Sequence, residues 1–315
     1  MNNKKIGIIG VGNVGSTLAY TLASKNICNE IILKDIKEDI LNAMSLDISQ
    51  SSFSCNSKTI IKSTIKKEEF KDCDIVVITA GIPRKPGMSR DDLLFTNASI
   101  MKKIIEDTIQ YNKDAIYIIV SNPLDAMVYT ALKTAKISRN KIIGMAGILD
   151  SSRMSHFIFE KLNLNEKPNI KSYVMGGHGD DMVPLANIST VDGVNLNKIL
   201  SKDDIKDIEE KTKNGGAQIV KLLGNGSAYY APAYSTYLMI ESILKDKKEQ
   251  FPCAIQLNGE YGYEDVVAGV NITLGKNGIE EILNIKLNNI QKEQFQKSVS
   301  SVKELIEKLK NSNIL

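Results

Sequence analysis

The chain is short of cysteine, histidine and net charge, and each scarcity narrows what it can be. Its four cysteines in 315 residues (Cys28, Cys55, Cys73 and Cys253) are far apart and match no metal-ligand spacing, so no metal site is indicated. Free buried thiols in a reducing compartment account for them. Forty Lys and Arg against 37 Asp and Glu leave a net charge of only +3, spread along the chain. Phosphate polymers need clustered basic charge, whereas Lys245, Lys247 and Lys248 alternate with acids as on a solvated helix face. Neither nucleic acid nor a membrane surface is therefore expected as a partner. No apolar run is long enough to cross a bilayer, and the one after Lys5 breaks at Gly7 and Gly10, too early for a secretory leader. These absences point to a cytoplasmic protein.

What is present suits an ordinary globular chain: 43% hydrophobic and 24% charged residues, at a length that calls for two domains or one large α/β unit. Residues 5–10 form a short apolar run ending in glycine, followed by helical periodicity from Val11. Gly10, Gly12 and Gly15 make G-x-G-x-x-G at this strand-to-helix junction. A second strand, 30–35, ends in Asp35, 20 residues past Gly15, where a carboxylate can accept hydrogen bonds from an adenosine ribose. Glycines let the backbone approach a pyrophosphate, whose charge sits at the positive end of the helix. A dinucleotide cofactor is expected, NAD over NADP because a carboxylate at 35 would repel a 2′-phosphate.

Further strands are predicted at 59–63, 74–79, 115–120 and 141–145, with helices over 39–49 and 98–111 between them. Alternating strands and helices imply a doubly wound parallel sheet whose ligands bind at the carboxyl ends of strands. From about residue 147 the rhythm changes. Helices are predicted over 149–162, 203–223 and 229–245, with a strand at 170–175 and antiparallel strands at 253–258 and 266–274. Phe295, Val299, Val302, Ile306 and Leu309 mark a last helix by a core-packing stripe. The expected organisation is a doubly wound dinucleotide-binding half and a second half from about residue 147, sharing an extensive interface.

Residues 79–92, TAGIPRKPGMSRDD, carry Arg84, Lys85 and Arg90 among prolines and glycines, which is loop chemistry. The loop reads either as a solvated turn or as a lid bringing cations onto an anionic substrate. Of the two histidines, His178 lies between Gly177 and Gly179, where a ligand can come close. His156, amid Met154, Phe157 and Ile158, reads as structural or surface-exposed. Asp150 and Arg153 are three apart on a predicted helix and share a face, as an orienting pair or a plain ion pair. Nothing local places Asp150 beside His178.

Over essentially its whole length the chain resembles the lactate/malate dehydrogenase family. GVGNVG with Asp35, AGIPRKPGMSRDDLL, SNPLDAM, GMAGILDSSR and MGGHGDDMVP occur in order and at the family's approximate spacing. The resemblance implies a Rossmann domain, 1–146, followed by an α/β (α+β) catalytic domain, 147–315. It implies that His178 is the proton donor and acceptor, Asp150 its orienting partner and Arg153 the clamp on the substrate C1 carboxylate. It implies that Asn122 binds substrate oxygen and cofactor, and that Arg90 polarises the carbonyl on loop closure. Gly10, Gly12, Asn13, Val14, Gly15, Asp35, Thr79, Ala80, Gly81, Asn97, Val120 and Asn122 are the implied NAD contacts. Arg84 stands where the family tends to carry glutamine for lactate and arginine for malate. An arginine there needs an anion, which the second carboxylate of oxaloacetate supplies and the methyl of pyruvate does not. Ala228 and Pro232 fit the same small-residue pattern. The implied substrate is thus a dicarboxylic 2-hydroxy/2-oxo acid, malate/oxaloacetate, with L-lactate as the alternative, in a homodimer or homotetramer.

Overall fold

A computed structural model describes residues 3–83, 87–224 and 226–315. β1 (Lys5–Ile9) turns through the glycine-rich segment into α1 (Asn13–Lys25). Then follow β2 (Glu30–Lys34), α2 (Glu38–Ser54), β3 (Ile60–Ser63), β4 (Ile75–Ile78), α3 (Arg90–Ile109), β5 (Ile116–Ile119), α4 (Leu124–Ala135) and β6 (Ile142–Gly144). The six strands are parallel in the order 6-5-4-1-2-3. β4 and β5 are buried along their whole length, as strands covered by helices on both faces must be. Chain direction across the sheet reverses between β1 and β4, which opens a crevice at their carboxyl ends.

The later part comprises α5 (Gly147–Leu162), β7 (Ile170–Lys171), β8 (Val174–Met175), β9 (Val183–Pro184), β10 (Thr190–Val191), β11 (Val194–Asn195), α6 (Lys202–Leu223), α7 (Tyr230–Leu244), β12 (Glu249–Asn258), β13 (Glu264–Gly275), β14 (Gly278–Ile282) and α8 (Asn289–Lys310). β12 pairs with β13 antiparallel, as expected for 253–258 and 266–274. β12 also meets β6 through Ala254 and Gly144, so one nine-stranded sheet runs through both parts of the chain. Close packing explains the glycine: a Cβ at Gly144 would lie 2.7 Å from Val128 Cγ2 and 2.9 Å from Ala254 Cβ. The fold is the expected one, a Rossmann unit followed by an α/β unit.

Two elements differ from expectation. The strand predicted at 170–175 is two short strands in different sheets, β7 with β10 and β8 with β9. Between them the chain bonds to α5 instead: Ser172 Oγ donates to the Ser151 carbonyl at 2.7 Å, and the Val174 N–H donates to Ser151 Oγ at 3.0 Å. The helix predicted to start at 98 starts at Arg90. Ser89 and Asp92 close a reciprocal capping box that fixes the start there. Arg90 is therefore the first residue of a helix, not a loop residue.

Candidate active site

The glycine-rich turn brings the ends of β1, β2 and β4 together. Gly10 has φ +98°, and a Cβ there would lie 2.6 Å from the Ala80 backbone N. A Cβ at Gly15 would lie 1.9 Å from the Gly10 carbonyl oxygen, so only glycine lets α1 pack against the strand end. Gly12, the residue before α1, faces open space. No side chain caps α1, and its first turn holds no acid, which leaves its N–H groups directed outward. That is the cradle an anionic pyrophosphate requires. Asp35 Oδ2 accepts the Val11 N–H at 2.7 Å, fixing the turn to the end of β2, and Thr79 Oγ1 donates to the Gly10 carbonyl at 2.8 Å. Asn13 is exposed and Val14 half-buried beside the cradle, while Ala80 and Gly81 continue from Thr79. The donor set fits a dinucleotide.

Asn97 does something the sequence did not foretell. Its Oδ1 accepts the Ile82 N–H at 2.9 Å, and its Nδ2 donates to the Ile82 carbonyl at 3.1 Å and the Asn122 carbonyl at 2.7 Å. The amide is thus occupied by protein and ties the segment after β4 to the end of β5.

Around His178 the geometry is tight. Asp150, in the first turn of α5, is 1% exposed and uses both oxygens. Oδ2 is 2.8 Å from His178 Nδ1, and Oδ1 accepts from Arg153 Nη1 at 3.0 Å. The Asp150–Arg153 pair and His178, which the sequence left unconnected to it, therefore form one unit. Burial alone would lower the His178 imidazole. The charge and hydrogen bond of Asp150, with Asp125 behind it, outweigh that and hold it above its ordinary value. Nδ1 being taken, Nε2 is the ring nitrogen left for a ligand. Arg153 Nε is buried without a protein partner, an unspent donor.

His178, Arg153, Asn122, Val14 and Val120 line one cavity of about 240 Å³, together with Ala228 and Pro232. The cavity lies between the cradle and α5, and both parts of the chain build its wall. Arg90 is exposed at the start of α3 and is not in that lining, so the structure does not bring it to His178. Arg84 and Lys85 lie outside the described residues. His156 is exposed, its ring 5.3 Å from that of Phe157. Two groups in the wall escaped sequence reasoning. Lys213, on α6, adds a cation, and Gly216 beside it lets the helix press against Arg153: a Cβ there would lie 3.3 Å from both Nη atoms. The signal was available, since paired glycines in mid-helix are unfavourable and call for a reason.

Fold and site define the class. Models of the lactate/malate dehydrogenase NAD binding domain and alpha/beta C-terminal domain match residues 4–144 and 148–313. The chain belongs to the lactate/malate dehydrogenase family. It is 62% identical to a malate dehydrogenase of Aliarcobacter butzleri, over 99% of each chain. The malate dehydrogenase structure of Cryptosporidium parvum superposes with a TM-score of 0.95 at 38% identity, over 98% of this chain and 100% of that one. The lactate dehydrogenase of the same organism, solved with lactic acid and nicotinamide adenine dinucleotide, does so with 0.94 at 34% identity, over 99% of each.

Proposed function

We propose that this chain is an NAD-dependent malate dehydrogenase, interconverting (S)-malate and oxaloacetate. The observation that carries the reaction is the buried Asp150 carboxylate holding His178 and Arg153 at once in the wall of the cavity. The choice of malate rests on the 62% identity with a malate dehydrogenase and on Arg84.

NAD supplies the hydride acceptor. Gly10, Gly12, Asn13, Val14 and Gly15 form the cradle for its pyrophosphate, and Asp35 the ribose contact; Thr79, Ala80, Gly81 and Val120 line the crevice. Asn97 acts through Asn122 and the loop backbone. In the oxidative direction neutral His178 takes the hydroxyl proton at Nε2. In the reductive direction the imidazolium returns it, and the anionic Asp150 favours that charged form. Arg153 holds the C1 carboxylate with the donors Asp150 leaves free, and Asn122 holds the substrate oxygen. Arg90 polarises the carbonyl, which requires the start of α3 to close toward the cavity. Arg84 pairs with the second carboxylate.

The cofactor half ends at residue 146 and the substrate half begins with α5 at 147. The enzyme works in the cytoplasm, where its free thiols stay reduced, at the malate step of the tricarboxylic acid cycle. It is a homodimer or homotetramer: α2 presents Leu46 and Phe53, 61% and 85% exposed, which a partner copy would cover. No helix among the described residues is long and apolar enough to cross a membrane.

The test is NADH oxidation followed by absorbance with oxaloacetate and with pyruvate. A higher kcat/KM for pyruvate would make this a lactate enzyme. Arg84→Gln should move the ratio toward pyruvate; an unchanged ratio removes Arg84 from substrate choice.

A further inference from the structure

Asp125, in the first turn of α4, is 5% exposed. Its Oδ2 accepts the backbone N–H of His178 at 2.8 Å, from 53 residues along the chain, and its Oδ1 is buried with no partner. An acid near a helix N-terminus is favourable when exposed, but burial with an oxygen unpaired is costly. An asparagine could accept the same N–H without a charge. The structure therefore keeps a carboxylate where a neutral acceptor would serve the backbone equally well, and its charge acts on the His178 imidazole.

We infer that Asp125 is a positioning residue for the proposed reaction: it fixes the His178 backbone and supplies a second negative charge favouring the protonated ring. This rests on the malate dehydrogenase reading and deepens it. The charges that act on His178 are those of Asp150 and Arg153 from α5 and Asp125 from α4. Lys213 from α6 and Asp180 from the histidine's own loop share the cavity. Arg153 opposes the protonated ring and the two buried carboxylates favour it. Burial raises Asp125 to about 6, although the His178 N–H and the His178 charge pull the other way. Below that pH Asp125 takes up a proton and its support for the imidazolium goes; above it both carboxylates act together. Asp125 and His178 must therefore titrate as a coupled pair. Because the raised carboxyl binds its proton more tightly folded than unfolded, Asp125 opposes folding as pH rises through about 6.

Two measurements test this. In Asp125→Asn the acceptor remains and the charge is gone. The alkaline limb of kcat/KM for oxaloacetate should move to lower pH by about one unit. The Tm at pH 8 should stay level or rise. An unshifted limb, with or without a lower Tm, would reduce Asp125 to a structural acceptor. The second measurement needs no variant. The chain has two histidines, so an NMR titration of the wild-type ring protons resolves His178 against the exposed His156 as internal control. His178 should show an extra inflection near 6, where Asp125 titrates; a single-step curve overturns the inference even if the variant does not fold. Failure of the wild type to oxidise NADH with oxaloacetate would refute the malate reading alone, since the ring titration does not depend on substrate.

Discussion

Asp150 gives one oxygen to His178 and the other to Arg153, so an amide in its place could accept at only one of the two and would carry no charge. Asp150→Asn should lower kcat/KM for oxaloacetate at least about 100-fold, the scale of a positioned acid–base group, as steady-state kinetics will show. A loss under threefold would mean that His178 holds its place without that carboxylate. At this scale the sequence was most legible where glycines or helical spacing framed a residue: His178 between two glycines, Arg153 one turn from Asp150. It was silent where contacts span distance. Asp125 reaches His178 across 53 positions and Asn97 reaches Asn122 across 25, and neither side chain differs locally from an ordinary helix residue.

Among the elements, α6 is the one whose composition conflicts with its form. Gly215 and Gly216 stand inside a 22-residue helix, and each costs up to about 1 kcal/mol relative to alanine. Gly216→Ala should leave Tm level or higher while raising KM for oxaloacetate severalfold, because the added methyl would sit 3.3 Å from both Nη atoms of Arg153. Thermal melts with matched kinetics separate the two effects; an unchanged KM would show that Arg153 yields without loss. Helix α3 was misread for a different reason. Its buried stripe begins at Leu94 but includes the polar Asn97, which breaks the apolar pattern, and its start is set by polar capping at Ser89 and Asp92. Apolar periodicity overlooks a polar residue on the buried face and a start fixed by capping.

Across the whole molecule, strand alternation gave the parallel sheet, and the antiparallel pair after residue 249 was equally plain. That the two are one sheet was hidden, because the joint is the single pair Ala254 and Gly144 and no motif marks it. The exposed Leu46 and Phe53 belong to this scale too. Light scattering should give a mass at least twice the 34.8 kDa of one chain. Phe53→Glu should shift it toward the monomer, since burying a charge at an apolar contact is unfavourable. A monomeric wild type would leave that face of α2 without the role given to it.

Helix α8 has a consequence for how an active molecule comes into being. The N–H of Gly177, next to His178, donates to Ser298 Oγ at 2.7 Å, and a Cβ at Gly177 would come within 2.8 Å of Val302 Cγ2. The seat of His178 thus includes residues about 120 positions later in the chain. During synthesis the cradle at Gly10–Gly15 can form early, while the histidine loop waits for α8 to emerge and dock. A nascent chain would be able to hold a dinucleotide well before it could turn over substrate, because activity waits for α8 to dock.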